Sequence, residues 1–299
     1  MFRAGEPVCT LLAAVLPPIV GMPMMESRDP VFAVRRLRVL PVAVAILIGV
    51  LLATAFNFVW FGNQWLYAVV RSTGGWLDGT LLANLCLLAV VVGGALCGFG
   101  RARPRDLGLR LRQVLPALVA TVVMWLALQG ATALLAWANG EPLVAAAARS
   151  NTRVPFGSDL LAQVFGNALY EEILYRGCLL VQLALWLSTG DGPPPRRVVW
   201  QALLVSQVLF ALQHIPNRLA FDAWHDVAGV AGDLGLLLVS GLFFAGVFLR
   251  TGNLLVAVGL HALGNCPTML WRSPEWLHPA VLFVATLLLL AFGPRWFRR

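Results

Sequence analysis

Apolar residues in this chain come in long blocks, separated by short polar stretches that carry arginines. About 20 consecutive apolar residues cross the roughly 30 Å hydrocarbon core of a bilayer as an α-helix. Blocks of this kind, two of them somewhat short, lie at residues 41–61, 80–99, 115–138, 158–188, 198–214, 228–249, 253–272 and 277–293. The pattern predicts an all-α, polytopic membrane protein with about eight transmembrane helices.

Composition agrees with this fold class. Of the 299 residues, 59% are hydrophobic and 12% are charged, whereas a soluble domain carries roughly 25% charged residues. The net charge of +8 would also suit a nucleic-acid-binding protein, but the arginines cluster at the ends of apolar blocks. Anionic lipid head groups select that placement, so we expect contact with the lipid bilayer and no nucleic-acid partner.

The arginines also orient the chain. With eight alternating segments, five arginine-bearing stretches fall on one side: 35–38, 101–112, 196–197, position 250 and 295–299. The opposite side receives only Arg71, Arg149, Arg153, Arg218 and Arg272. Because basic loops remain in the cytoplasm, the sequence predicts cytoplasmic termini.

The chain divides into an extension and a membrane domain. Residues 1–39 are predicted to be an N-terminal extension, interfacial or disordered; the apolar stretch 9–22 is short and broken by Pro17 and Pro18, and a signal peptide is the alternative. Residues 40–299 are predicted to form a single transmembrane helical domain, with the motif-bearing core at 158–272.

Two adjacent carboxylates lie near the middle of the fourth segment. Glu171 and Glu172 stand within "ALYEEILYRGCLL", and a charge at such a depth costs about 2.5–3.5 kcal/mol, so it indicates function. An ion pair between Glu172 and Arg176, four residues apart, would explain Glu172. Adjacent helical residues point about 100° apart, so Glu171 needs another partner.

Two histidines in apolar segments are candidates. "FALQH" places Phe210 and His214 on one helix face, and "HALGN" does the same for His261 and Asn265. Polar groups in a membrane interior need polar partners, so Glu171 and these side chains are expected to converge.

Such a set suits the hydrolysis of an amide. A glutamate and a histidine sharing one water form a general base, and a histidine with an asparagine amide supplies donors to an oxyanion. No serine or cysteine lies in a comparable polar cluster. Zinc held by Glu171, His214 and His261 is the alternative, although the HExxH spacing is absent and asparagine is a poor zinc ligand; no cofactor is therefore expected, with zinc as the open alternative.

The three motifs together resemble the CPBP family, the type II CAAX prenyl endopeptidases and their bacterial Abi-like relatives. They read Glu171-Glu172-Ile173-Leu174-Tyr175-Arg176, Phe210-Ala211-Leu212-Gln213-His214 and His261-Ala262-Leu263-Gly264-Asn265. The resemblance covers about residues 158–272 and implies an intramembrane glutamate-type endopeptidase.

The resemblance also implies roles for the individual residues. Glu171 and His214 would activate the water, while His261 and Asn265 would form the oxyanion hole. Glu172, Arg176 and Phe210 would support them.

A lysine-free chain rich in Ala, Arg and Trp is typical of a high-GC bacterium. We expect a multi-pass protein of the bacterial inner membrane. Its expected substrate is a membrane-associated protein or peptide, cleaved near its C-terminus or membrane anchor. A polytopic transporter and a non-catalytic immunity protein are the alternative functions.

Overall fold

The computed structural model describes residues 31–60, 64–146, 157–190, 192–221, 224 and 226–292. Most of the predicted N-terminal extension, residues 1–30, lies outside this part, and the predicted division into extension and membrane domain stays a prediction. The last residues before the first helix pack on the protein: Val31, Phe32 and Leu37 are buried. The Leu37 backbone N–H donates to Gln182 Oε1 at 2.7 Å.

The described chain is built from helices, with one isolated β-bridge between Ala145 and Trp271. In chain order they are α1 (Val39–Trp60), α2 (Gln64–Ser72), α3 (Gly79–Phe99), α4 (Val114–Ala138), α5 (158–187), α6 (Arg196–Leu212), α7 (Ile215–Ala220), α8 (Val227–Thr251), α9 (Leu254–Asn265) and α10 (Leu277–Phe292). The predicted all-α membrane architecture is confirmed.

Five of the described helices are long and apolar enough to cross a membrane: α1, α3, α4 with the turn before it, α6 with α7, and α8. Helices α9 and α10 are apolar but shorter, at 12 and 16 residues. Helix α5 is long, but Glu171, Glu172 and Arg176 interrupt its apolar run. Each predicted block contains a helix, while a count of eight spanning segments stays a prediction.

Two helices end before the last residue of the predicted block, and a proline explains each. The seventh block was expected to run to residue 272, but α9 ends at Asn265, because Pro267 disfavours helical geometry at the residue before it. The fifth block was expected to run through His214, but α6 ends at Leu212. Pro216 lacks the N–H that would bond the Leu212 carbonyl, and a new helix, α7, begins at Ile215.

Helix α5 is the centre of the bundle. Residues 170–182 are all buried, and α5 packs against α6 and α9, with its π-helical second half also against the turn Pro104–Leu107. Close approach of α9 to α4 depends on Gly259, where an added Cβ would lie 1.8 Å from Thr121 Oγ1. Glu171, Glu172 and Arg176 are therefore enclosed by protein rather than by lipid.

Candidate active site

Glu171 and Glu172 lie near the middle of α5, where its winding changes. The helix is π-helical over Gln163–Asn167, α-helical over Ala168–Glu171 and π-helical again over Glu172–Leu180. Short π-helical turns within α-helices are frequent at functional sites, because they redirect side chains. Glu171 is 5% exposed and Glu172 is fully buried.

One oxygen of Glu172 holds two partners. Its Oε1 lies 3.1 Å from Arg176 Nη1 and 2.8 Å from His261 Nδ1. The ion pair expected from the sequence is thus present, and the bond to His261 is an addition. Since a carboxylate only accepts hydrogen bonds, His261 donates through Nδ1, which fixes the ring orientation and leaves Nε2 directed elsewhere.

Phe210 lies between Arg176 and His214. The Arg176 guanidinium lies 4.0 Å from the centroid of the Phe210 ring, and the Phe210 and His214 rings are 4.8 Å apart, edge to face. Arg176 Nη2 also donates to the Gly241 carbonyl at 3.4 Å. The aromatic face and the carbonyl offset part of the cost of burying this cation.

The His214 ring is oriented by a backbone carbonyl group near the end of α6. Its Nδ1 lies 2.8 Å from the Phe210 carbonyl oxygen, which can only accept, so Nδ1 carries the proton and Nε2 is the free ring nitrogen. This Nε2 lies 3.6 Å from Glu171 Oε1, and the Nε2 of His261 lies 3.6 Å from Glu171 Oε2. Both histidines therefore present the same nitrogen to the same carboxylate.

This arrangement brings acceptors face to face. With neutral rings, two Nε2 lone pairs meet two carboxylate oxygens at separations longer than a hydrogen bond. Oε2 of Glu171 is buried and has no hydrogen-bond partner in the described part of the chain. These facing acceptor atoms of the two histidines and Glu171 need a proton, a water molecule or a cation between them.

Asn265 lies one helical turn beyond His261, as its spacing predicted, at the end of α9. It is exposed, and its Nδ2 donates to Gln163 Oε1 at 2.9 Å. Asn167 Nδ2 approaches the same oxygen at 3.4 Å. The bond to Gln163 fixes the plane of the Asn265 amide and leaves one of its two N–H groups for another acceptor.

Several of these partners were not predicted from the sequence. Gln163 and Asn167, the polar residues of the stretch Gln163–Asn167, were the available signal. Gly241 gave no signal; an added Cβ there would lie 3.2 Å from Arg176 Nη2 and 3.0 Å from the Phe210 ring. Phe244, which stacks on His261 with ring centroids 4.5 Å apart, reads as an ordinary apolar residue.

The family model "Type II CAAX prenyl endopeptidase Rce1-like" matches residues 154–267. This region of the chain is therefore similar to that family. The match includes Glu171, Glu172, Arg176, His214, His261 and Asn265, together with Phe210 and Gln163. No curated protein and no solved structure shows significant similarity to the chain.

The family resemblance expected from the three motifs is therefore confirmed. The description of the matching family is that of an endopeptidase, and the apolar helices make the chain a membrane protein. The matched region contains α5, α6, α8 and α9, which supply the side chains of the site except His214, which lies in the turn between α6 and α7.

Proposed function

We propose that this Rce1-like protein hydrolyses a peptide bond near the C-terminus or membrane anchor of a membrane-associated protein or peptide. The observation that carries the proposal is the placement of Glu171 between the two Nε2 atoms, 3.6 Å from each. A water molecule bridging these acceptors would be polarised by Glu171 and His214, its predicted activators.

The proposed reaction has two proton transfers. As the water oxygen attacks the substrate carbonyl carbon, Glu171 accepts the water proton, assisted by His214. Negative charge develops on the carbonyl oxygen, where Asn265 donates a hydrogen bond and His261 donates through Nε2 in its doubly protonated form. When the C–N bond breaks, Glu171 returns the proton to the leaving amine.

Zinc is the alternative source of the activated water. Two imidazole Nε2 atoms and a carboxylate are suitable zinc ligands, and Glu172 and the Phe210 carbonyl would fix the imidazole rings as outer-shell partners do. Bound zinc would lower the pKa of a water molecule. Among the described residues, no group of three His, Cys, Asp or Glu side chains has the arrangement of a metal site.

Metal analysis distinguishes the two versions. For the metal-free reaction we expect less than about 0.1 zinc per chain in purified active protein and unchanged cleavage after treatment with a strong chelator. Stoichiometric zinc, with loss of activity on chelation and recovery on refilling, would establish the zinc-dependent version instead.

Comparative membrane proteomics tests the function and identifies the substrate. We propose the bacterial inner membrane as the location, and the strains compared are a gene deletion and a Glu171→Gln replacement. Both should accumulate the same uncleaved membrane-associated protein, and the wild type should contain its shortened form. Accumulation in the deletion strain alone would favour a non-catalytic role, such as immunity, or transport.

The arginine distribution supports cytoplasmic termini and a site that opens to the opposite face. His214 lies just beyond the end of the outward-running α6, and the connection that follows includes α7. Val227 is 84% exposed at the start of α8, so Val227→Cys in a cysteine-free background should react with an impermeant maleimide in spheroplasts. Arg197→Cys, on the opposite side, should react only after lysis; the reverse result would invert the topology.

A further inference from the structure

A basic cavity of about 1000 Å³ lies where the chain passes from α3 to α4. Half of its ten lining residues are arginines: Arg35, Arg103, Arg105, Arg110 and Arg112. Asp106 is the only acidic residue among the described lining residues, which together carry a formal charge of +4. The proposed protease reaction uses none of these residues.

Asp106 and Arg35 form the frame of this cavity. The Asp106 carboxylate accepts the backbone N–H groups of Arg103 at 2.9 Å and of Arg35 at 3.4 Å. Arg35 Nη2 donates to the carbonyls of Gly100 and Arg101 at the end of α3. These contacts hold two chain segments together, so neither side chain is directed to a ligand.

The remaining arginines lie close together. Burial and the neighbouring charges of Arg112 and Arg105 lower the pKa of Arg110. Within the part of the chain that the structure describes, neither Arg105 nor Arg112 forms an ion pair with a carboxylate. A phosphate group, which guanidinium groups bind through paired hydrogen bonds, would relieve the mutual repulsion.

An apolar stripe leads away from the arginines. Leu111, which lines the cavity, is 92% exposed, and Leu115 and Leu118 follow at 67% and 57%. Leu111 lies in the short turn just before α4, and the spacing of Leu115 and Leu118 places both on one face of α4. Farther along, α4 borders an apolar cavity of about 830 Å³ together with α5 and α9. A ligand that fits both surfaces has an anionic head and an apolar tail.

We propose that this cavity is a binding site for an anionic glycerophospholipid. The lipid phosphate lies among Arg105, Arg110 and Arg112, and an acyl chain follows the leucine stripe of α4. Each arginine near an anionic membrane surface adds a roughly equal electrostatic attraction to the negative lipid. Three arginines together therefore strongly favour an anionic lipid over a zwitterionic one.

The bound lipid would also support α5. The turn Pro104–Leu107, which carries Arg105, packs directly on α5: a Cβ added to Gly177 would lie 2.3 Å from the Leu107 carbonyl oxygen. Gly177 follows Arg176, the partner of Glu172. A lipid that holds the turn in place therefore stabilises the helix bearing the site.

The test measures lipid affinity of the purified full-length protein by native mass spectrometry in detergent. The probes are dioleoylphosphatidylglycerol and dioleoylphosphatidylcholine, with inorganic phosphate as a free anion. We expect the triple variant Arg105→Gln/Arg110→Gln/Arg112→Gln to bind phosphatidylglycerol about 100-fold more weakly, with binding of phosphatidylcholine unchanged. The single variants Arg112→Gln and Arg112→Lys serve if the triple variant does not fold; lysine should restore most of the affinity.

The matched control removes the same charge elsewhere. Arg71→Gln/Arg197→Gln/Arg272→Gln, all at exposed positions outside the cavity, should keep wild-type affinity. An equal loss in both triple variants would show nonspecific charge attraction and overturn the proposal. Equal affinity for both lipids would also overturn it, as would inorganic phosphate displacing phosphatidylglycerol at similar concentration, which would indicate a free-anion site.

Discussion

Two arginine–carboxylate pairs in this protein have the same chemistry and opposite surroundings. Arg176 and Glu172 are both 0% exposed, whereas Arg218 and Asp233, which join α7 to α8 with Nε and Oδ2 2.8 Å apart, are each 27% exposed. The inner pair shares its carboxylate with His261, and the outer pair shares its carboxylate with Trp224 Nε1 at 3.3 Å. The two pairs therefore differ in burial: the buried pair contacts the candidate active site, and the partly exposed pair joins two helices at the surface.

The largest effect is expected at the inner pair. Glu172→Gln leaves Arg176 buried without its counterion and removes the charged partner of His261, so the free energy of unfolding should fall by about 3–5 kcal/mol. Titration with SDS, followed by tryptophan fluorescence, measures this change. The double variant Glu172→Gln/Arg176→Met should recover most of the loss, and failure to recover would show that the charge of Arg176 is not the cause.

Gly241→Ala tests the packing around Arg176. The added Cβ would lie 2.9 Å from Gln207 Oε1, 3.0 Å from the Phe210 ring and 3.2 Å from Arg176 Nη2, which predicts a destabilisation of about 1–3 kcal/mol. Gly235→Ala is the control on the same helix, because no atom lies within 4 Å of its added Cβ. It should be neutral or stabilising by up to about 1 kcal/mol; equal destabilisation in both variants would contradict the packing account.

Gln163→Leu tests the support of Asn265. Loss of one hydrogen bond of about 1 kcal/mol should lower kcat roughly 5- to 10-fold on the substrate found by proteomics, with thermal stability unchanged. Asn167→Leu removes only the longer contact to the same oxygen and should have a smaller effect. A wild-type kcat for Gln163→Leu would show that the orientation of Asn265 does not limit the reaction.

The smallest effect is expected at the outer pair. Arg218→Gln should change the free energy of unfolding by at most about 1 kcal/mol, because solvent screens a partly exposed pair. The same SDS titration measures it. A loss as large as that of Glu172→Gln would remove the distinction between the two pairs.

Two features of the sequence were enough to predict the helices and the candidate site: the apolar blocks and the charged residues within one of them. Apolar blocks located the helices, because the bilayer imposes a length and a composition on them. The charges of α5 marked the site, because charge is rare at that depth. Pro216 and Pro267 mark the ends of α6 and α9, which the apolar pattern alone does not show.

Other features depend on packing that a single sequence does not encode. The π-helical turns of α5 and the role of Gly241 arise only when α6, α8 and α9 surround α5. The sequence correctly predicted that Glu172, rather than its neighbour Glu171, pairs with Arg176. The bond from Glu172 to His261 was missed, since it joins residues 89 positions apart.

The central claim is that Glu171 activates water while Glu172 holds the site together. The most direct measurement is the rate at which the purified Glu171→Gln protein cleaves the identified substrate, made together with its thermal unfolding. Since an amide cannot accept the water proton, the rate should fall by about 10²- to 10⁴-fold while the unfolding temperature stays within about 2 °C of the wild type, roughly the shift that 1 kcal/mol produces in a chain of this size. Cleavage at the wild-type rate, or unfolding as severe as that of Glu172→Gln, would contradict the account.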